Sequence, residues 1–373
     1  MRIWFITGFG LTIVGCWLLI LGIQDRLEQL GRDQQDSTVV TITNKIDLTD
    51  DWNADFKSGT SAEGVDKMDE NFEIAASEKS SRSESRDKFA VINNLAFADL
   101  DSLLPDNAYH EILVSKLIED GWDVTQLRLL AQYLSDPRTE FLPEVLKINA
   151  THVENWEQYS HHLTSDGFEM CRKYWSKHNR TISSAAEEYN FPPAIIMAIL
   201  KVETNFGKYK GRHSVFNVFW SLSLGDNQQV KDENMPELGN MKKPELKKLH
   251  RRARWARLQL ADLLYTAKSG GENPVGIMGS WAGAFGLCQF IPASYRAYGR
   301  DGNGDSVIDL DNVADASASI ANYLIENGWH NNGYRAKQKR SIMRYNHSEY
   351  YADCVLQLAD GIEKQWQGLA AID

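Results

Sequence analysis

The chain has 373 residues, 43% of them apolar, and a formal charge of −11. That length allows one sizeable core with further segments outside it, and the acidic balance excludes a surface that attracts nucleic acid as a whole. The excess charge is concentrated: residues 36–105 carry about fifteen acidic against about seven basic side chains, and the rest is near balance.

Residues 3–23 form an unbroken apolar run of about twenty residues, enough to cross a bilayer as a helix. Arg2 precedes the run and Asp25, Arg26 and Glu28 follow it, which favours a short cytoplasmic N-terminus with the rest exported. Residues 1–23 are therefore expected to be an inner-membrane anchor with the body of the protein in the periplasm. Ile13-Val14-Gly15-Cys16 resembles a lipobox, so a lipoprotein is the alternative, although the apolar run continues through Ile23. Residues 24–105, rich in Ser, Asp, Glu, Lys and Asn without sustained periodicity, read as a disordered acidic tether. Beyond the anchor, Cys171, Cys288 and Cys354 have no C-x-x-C spacing; buried free thiols are the simplest reading, with one disulfide among them as the alternative.

From residue 106 the pattern is helical. Leu113, Leu117 and Ile118 share a face, and Gly121 ends that segment. Asp123 caps the next helix with Gln126 in the capping-box position, and Leu127, Leu130 and Leu134 form its apolar stripe. Amphipathic segments follow at residues 156–175, 182–189, 192–206, 246–267, 315–327 and 350–364, and strand signals are sparse. The expected body is a mainly α-helical domain spanning 106–373, with a core at 180–365.

The segment 192–206 is the most informative. Pro192-Pro193 starts a helix, Ile195, Ile196, Ile199, Leu200 and Val202 make it nearly all apolar, and Gly207 supplies a stop. Glu203, its only carboxylate, lies on the stripe of Ile196, Ile199 and Leu200. Apolar surroundings and the negative end of a helix both disfavour ionisation. A carboxyl group kept protonated near neutral pH can donate to a glycosidic oxygen. The competing reading is a surface glutamate paired with Lys201 or Lys208. A second segment, from Gly279 to Pro292, combines closely spaced glycines with aromatics and Gln289, which offers a donor and an acceptor to a sugar amide.

Lys201-Val202-Glu203-Thr204-Asn205-Phe206-Gly207, the Gly279–Pro292 segment and Tyr345-Asn346 together resemble the membrane-bound lytic murein transglycosylase B family. The likeness runs from about residue 112 to about residue 362, with the motifs in the same order. It implies a lysozyme-like fold with a groove for alternating N-acetylglucosamine and N-acetylmuramic acid. It also implies that Glu203 protonates the leaving oxygen and then deprotonates the 6-hydroxyl of N-acetylmuramic acid, giving a 1,6-anhydro end. One carboxylate suffices if the substrate's acetamido group helps stabilise the anomeric carbon. Matching positions expected to bind substrate are Ser280, Gln289, Phe290, Tyr323, Tyr345, Asn346 and Tyr351, with Tyr159 less securely aligned and Arg251 and Arg252 as a groove-side pair. Phe285 departs from the methionine usual in the family, and the stretch 225–245 is longer than usual. Peptidoglycan strands, the membrane and cell-wall enzyme complexes are the expected partners, and no nucleic acid.

Asp301, Asn303 and Asp305 alternate as in an EF-hand, Val307 can add a backbone carbonyl, and Ile308 packs inward. Ser306 and Asn312 replace the usual glycine and glutamate, whereas the resembled family closes its loop with a carboxylate where Asp315 stands. The expected cofactor is a structural calcium ion on Asp301, Asn303, Asp305, the Val307 carbonyl and Asp315; the alternative is a polar turn. A calcium sensor would need a second such loop. The basic residues between Lys242 and Arg257 read as a solvated helix face, and no H-E-x-x-H spacing suggests zinc catalysis. A water-using muramidase and a non-catalytic peptidoglycan-binding scaffold are the rival functions.

Overall fold

The structure, a computed structural model, describes residues 103–105, 107–236, 243–270 and 272–370. The anchor expected at 1–23 and nearly all of the tether expected at 24–105 lie outside the described residues. Among the described residues no helix is long and apolar enough to cross a membrane.

Local chemistry sets the first two helices as the sequence indicates. Helix α1 (Ala108–Glu119) starts at Asn107, whose side chain accepts the Tyr109 N–H, and Gly121 follows it at φ 88°. Helix α2 (Val124–Leu134) carries the complete capping box, with Asp123 and Gln126 each satisfying the other's backbone N–H. Helix α3 (Pro143–Thr151) follows.

The amphipathic segments expected at 156–175 and 182–189 are divided differently. A single turn, α4 (Glu157–Ser160), leads through a 3-10 turn into one long helix, α5 (Ser165–Glu188). Thr164 caps α5 by accepting the Gly167 N–H, and Gly167 lies so close to the His162 carbonyl that a Cβ there would sit 2.2 Å from its oxygen. A tight corner at 161–164 therefore breaks what periodicity alone joins.

Helix α6 (Pro193–Thr204) is buried on every side from Ala194 to Leu200, the mark of a central helix. After the β1 residues His213–Ser214 come α7 (Val215–Leu222), α8 (Gln228–Asn234) and α9 (Lys243–Gly270). The β2 residues Met278–Gly279 pair antiparallel with β1. Helices α10 (Pro292–Tyr298), α11 (Val313–Glu326), α12 (Arg335–Tyr345) and α13 (Glu349–Ala370) complete the body. The second central helix is α11, whose small residues Ala316, Ser317, Ala318 and Ser319 are all buried and let α5 approach closely. Along α6 runs α13, while α7 packs against α9 and α3.

The basic face expected on α9 is not wholly solvated. Arg257 is buried and pairs with Asp120 and Asp226, and it also donates to the Ser223 carbonyl. Cys171, Cys288 and Cys354 are buried and free.

Candidate active site

Helix α6 ends at Asn205, which takes the left-handed conformation at φ 51°, and Phe206 and Gly207 continue it at φ 60° and 83°. The stop thus begins two residues before the glycine. Three neighbours hold this unusual end. Lys201, itself buried, bonds the Asn205 side chain through its ammonium group. The Thr204 hydroxyl accepts the Gly207 N–H at 2.9 Å and donates to the Leu287 carbonyl at 3.1 Å, tying the helix to the glycine-rich segment. Phe206 stacks on Tyr174 with ring centroids 4.1 Å apart. Lys201, Thr204, Asn205 and Phe206 therefore position the helix end, and Glu203 alone among the motif's side chains is an acid directed at the site.

Glu203 is partly buried, and Tyr351 of α13 donates its hydroxyl hydrogen to Oε1 at 2.7 Å. Burial pushes the Glu203 pKa up to about 8; the Tyr351 hydrogen bond opposes that rise and the negative charge of Glu154 adds to it. The competing reading, a surface glutamate paired with Lys201 or Lys208, is not what the structure shows: Glu203 is partly buried and bonded by Tyr351. A group that stays protonated through neutral pH and has one oxygen pinned is suited to give a proton from the other and then take one back.

Aromatic rings extend from this carboxyl group. Tyr159 meets Tyr351 edge-on at 6.1 Å, Tyr351 lies parallel to Tyr345 at 6.4 Å, and Tyr345 contacts Tyr323 at 4.8 Å. Their hydroxyls are largely committed: Tyr345 donates to the Cys288 carbonyl, Tyr323 to the Arg344 carbonyl and Tyr159 to Glu154. Phe290, packed against Tyr323 and Tyr345, is only 2% exposed. Phe290 thus lies as a platform beneath the tyrosines, its ring packed on both sides. Tyr323 is 8% exposed and likewise offers an edge at most.

The glycine-rich segment folds back on itself, with Gly279 bridged to Phe285 and Phe285 to Phe290. Ser280 closes the first bend by accepting the Ala284 N–H at 3.1 Å. Gln289, at φ 50°, donates its amide nitrogen to the Lys210 and Gly286 carbonyls at 3.2 and 3.0 Å. Its donor capacity is thus spent within the protein, and only the acceptor oxygen is left for a ligand. Asn346 caps α12 in an extended conformation beside Tyr345 and is partly exposed.

Arg251 and Arg252 lie on α9. Arg251 is exposed and lines a surface pocket with Leu246, Lys247 and His250. Arg252 lies 4.8 Å from the Trp255 ring, which meets Phe219 edge-on, and Phe219 in turn packs against Gly283. That chain of contacts runs from the arginine pair to the glycine-rich segment.

In the 301–315 loop, Asp301 accepts the N–H groups of Gly304, Asp305 and Ser306, and Asp305 accepts that of Val307. Ser306 sits at φ 69° and so supplies the left-handed turn that glycine usually provides. Asp315 is fully buried and accepts from Gly302 and Asp309. Burial raises its pKa and the Asp301 charge adds to the rise, against the two N–H bonds. Carboxylate and carbonyl oxygens are the donor types a hard cation takes, but here the carboxylates accept backbone N–H groups, and among the described residues no three His, Cys, Asp or Glu side chains are gathered as metal ligands.

Glu154 is the residue the sequence did not flag. It stands five positions before Tyr159 and carries no motif; only the fold brings its charge near Glu203.

The body is mainly helical, and Glu203, a carboxyl group raised by burial, stands at the end of a central helix. Residues 111–338 match the transglycosylase SLT domain family, and the chain belongs to that family. Among curated proteins it is similar to membrane-bound lytic murein transglycosylase B of Escherichia coli (strain K12), 30% identical over 167 residues that cover 45% of this chain and 40% of the relative. The matched region is therefore less than half of that relative's length. Among solved structures it is similar to the soluble lytic transglycosylase SltB1 of Pseudomonas aeruginosa, with a TM-score of 0.54, 23% identity, and coverage of 70% of this chain and 100% of that one. The Escherichia coli lytic transglycosylase Slt35 in complex with calcium gives a TM-score of 0.53 at 24% identity, over 72% of this chain and 95% of that one. At these identities the structures share the fold.

Proposed function

We propose that the protein is a peptidoglycan lytic transglycosylase that cleaves the β-1,4 bond between N-acetylmuramic acid and N-acetylglucosamine and leaves a 1,6-anhydro end. The observation that carries this reading is Glu203, a carboxyl group raised to about 8 with Oε1 held by Tyr351. Oε2 then carries the transferable proton. It protonates the departing glycosidic oxygen as the bond to the anomeric carbon breaks, and the substrate's acetamido group supports the positive charge that develops there. The resulting carboxylate removes the proton from the 6-hydroxyl of the same muramic acid, whose oxygen closes on the anomeric carbon. Proton and oxygen balance without water, and Glu203 ends the cycle protonated.

Tyr159, Tyr345, Asn346, Ser280 and the Gln289 oxygen serve as the sugar-contacting set in this proposal, since aromatic faces and neutral hydrogen-bonding groups suit neutral sugars. Arg251 and Arg252 suit the carboxylates of lactyl groups and stem peptides. Asp301, Asn303, Asp305, Val307 and Asp315 would hold calcium as a brace for the loop, and Leu310 of that loop accepts the Leu287 N–H of the glycine-rich segment at 2.8 Å. The ion would supply rigidity and no step of the chemistry. The anchor at 3–23 would keep the enzyme at the inner membrane with this body in the periplasm, which membrane fractionation and protease accessibility test.

Mass spectrometry of products from purified sacculi tests the central claim. Anhydro ends are expected from the wild type, with product formation by Glu203→Gln lowered roughly 1,000-fold or more. Reducing ends would make the enzyme a muramidase, and wild-type turnover by a folded Glu203→Gln variant would make Glu203 a bystander.

A further inference from the structure

Glu154 lies in the irregular stretch between α3 and α4, and its Oε1 accepts the Tyr159 hydroxyl at 2.6 Å. Among the described residues it forms no ion pair. The backbone beside it is clamped: Asn155 and Gln158 exchange reciprocal side-chain-to-backbone hydrogen bonds, both 3.2 Å. Tyr159 is gripped at both ends, its hydroxyl by Glu154 and its carbonyl by the Cys354 thiol at 3.5 Å, one turn beyond Tyr351 on α13. Its ring then meets Tyr351 edge-on, and Tyr351 holds Glu203.

We infer that Glu154 is a positioning residue of this site: through Tyr159 and Tyr351 its carboxylate keeps the Glu203 side chain in one orientation and favours the return of its proton after each transfer. The inference rests on the proposed function and adds to it a second acid that does not itself touch the reacting atoms. The groups facing Glu203 are Tyr351 from α13, Tyr345 from α12, Cys288 from the glycine-rich segment, and Tyr159 with Glu154 from the stretch before α5. Cys171 and Tyr174 of α5 border the other side of α6, near Lys201 and Phe206. Burial raises the pKa of Tyr351, Tyr345, Cys288 and Tyr159, so those four are neutral at pH 7. The negative charge that acts on Glu203 from this set is that of Glu154. A negative neighbour disfavours a second negative charge, which speeds recovery of the acid form.

The test is kcat/KM against pH for wild type, Glu154→Gln, Glu154→Ala and Tyr159→Phe, on glycan strands from purified sacculi, with Glu203→Gln alongside. Glu154→Gln keeps an acceptor for Tyr159 and removes only the charge. Its alkaline limb is expected to move about half to one pH unit lower, giving a roughly three- to tenfold loss at pH 8 and little change at pH 5. Tyr159→Phe is expected to lower kcat at every pH without moving the limb, and Glu154→Ala to combine both effects. A Glu154→Gln profile that superimposes on wild type overturns the inference, as does a loss uniform across pH that follows a lowered Tm. Activity in Glu203→Gln would instead overturn the enzymatic reading itself, so the two failures are distinct.

Discussion

Tyr351 donates to Oε1 of Glu203 at 2.7 Å across 148 residues of sequence. The bond fixes which carboxyl oxygen is free to react, and because the tyrosine donates, it stabilises the ionised form against a burial effect that is larger. Tyr351→Phe removes that stabilisation. The Glu203 pKa should rise further above its present value of about 8, moving the alkaline limb of the pH profile upward. Loss of orientation should lower kcat roughly tenfold or more. A profile that moves downward, or an unchanged kcat, would show that Tyr351 does not act on Glu203.

Glu203 should weaken the fold in a pH-dependent way. Its pKa is about 8 when folded against an ordinary 4.5, so between those values the folded state binds more protons than the unfolded state. Stability from this group is therefore full below pH 4.5 and declines until about pH 8. Glu203→Gln, neutral throughout, should match wild type near pH 4 and exceed it at pH 8 by roughly 4 kcal/mol. Urea titrations at the two pH values measure the difference, and equal gaps at both would refute it.

Gly283 and Gly304 both sit at positive φ, 81° and 78°, but in different surroundings. A Cβ at Gly283 would lie 2.3 Å from the Phe219 ring, whereas nothing stands within 4 Å of one at Gly304. Gly283→Ala should cost roughly 3 kcal/mol and Gly304→Ala about 1 kcal/mol, the backbone strain alone. Thermal unfolding that ranks the two variants the other way round would contradict the packing account.

Arg257 is buried among Asp120, Asp226 and the Ser223 carbonyl. Arg257→Met leaves the partly buried Asp226 and the more exposed Asp120 without their partner, and a loss of roughly 2 kcal/mol is expected. A change within 0.5 kcal/mol would mean that the network is solvated in solution.

If calcium occupies the 301–315 loop, chelation with EGTA should lower Tm by about 5 °C or more, and added calcium should restore it. Asp315→Asn should abolish that response while leaving Glu203 chemistry in place. A Tm indifferent to both EGTA and calcium would leave the loop as a polar turn.

Several features were legible because they depend on neighbours in the chain. The Asp123–Gln126 capping box, the proline start of α6 and the place of Glu203 on an apolar stripe need only helical geometry and intrinsic side-chain chemistry. The corner at 161–164 was missed because hydrophobic periodicity continues across it, while the close approach of Gly167 to the His162 carbonyl decides it. The depth of Phe290 was not legible because motif position does not reveal it, and Arg257 read as solvated because a helix face carries no label for which turn is covered.

What the chain encodes locally is an acid in an apolar helix and a glycine-rich segment able to fold closely against it. Only the tertiary structure decides that Tyr351 bonds that acid, that Glu154 lends it negative charge through space, and that the hydroxyls of Tyr323 and Tyr345 are committed to carbonyls. The reason is physical: helix and turn preferences act over a few residues, whereas electric fields and burial act across a few ångströms, and the packing of α13 and the 152–160 stretch around α6 converts one kind of proximity into the other.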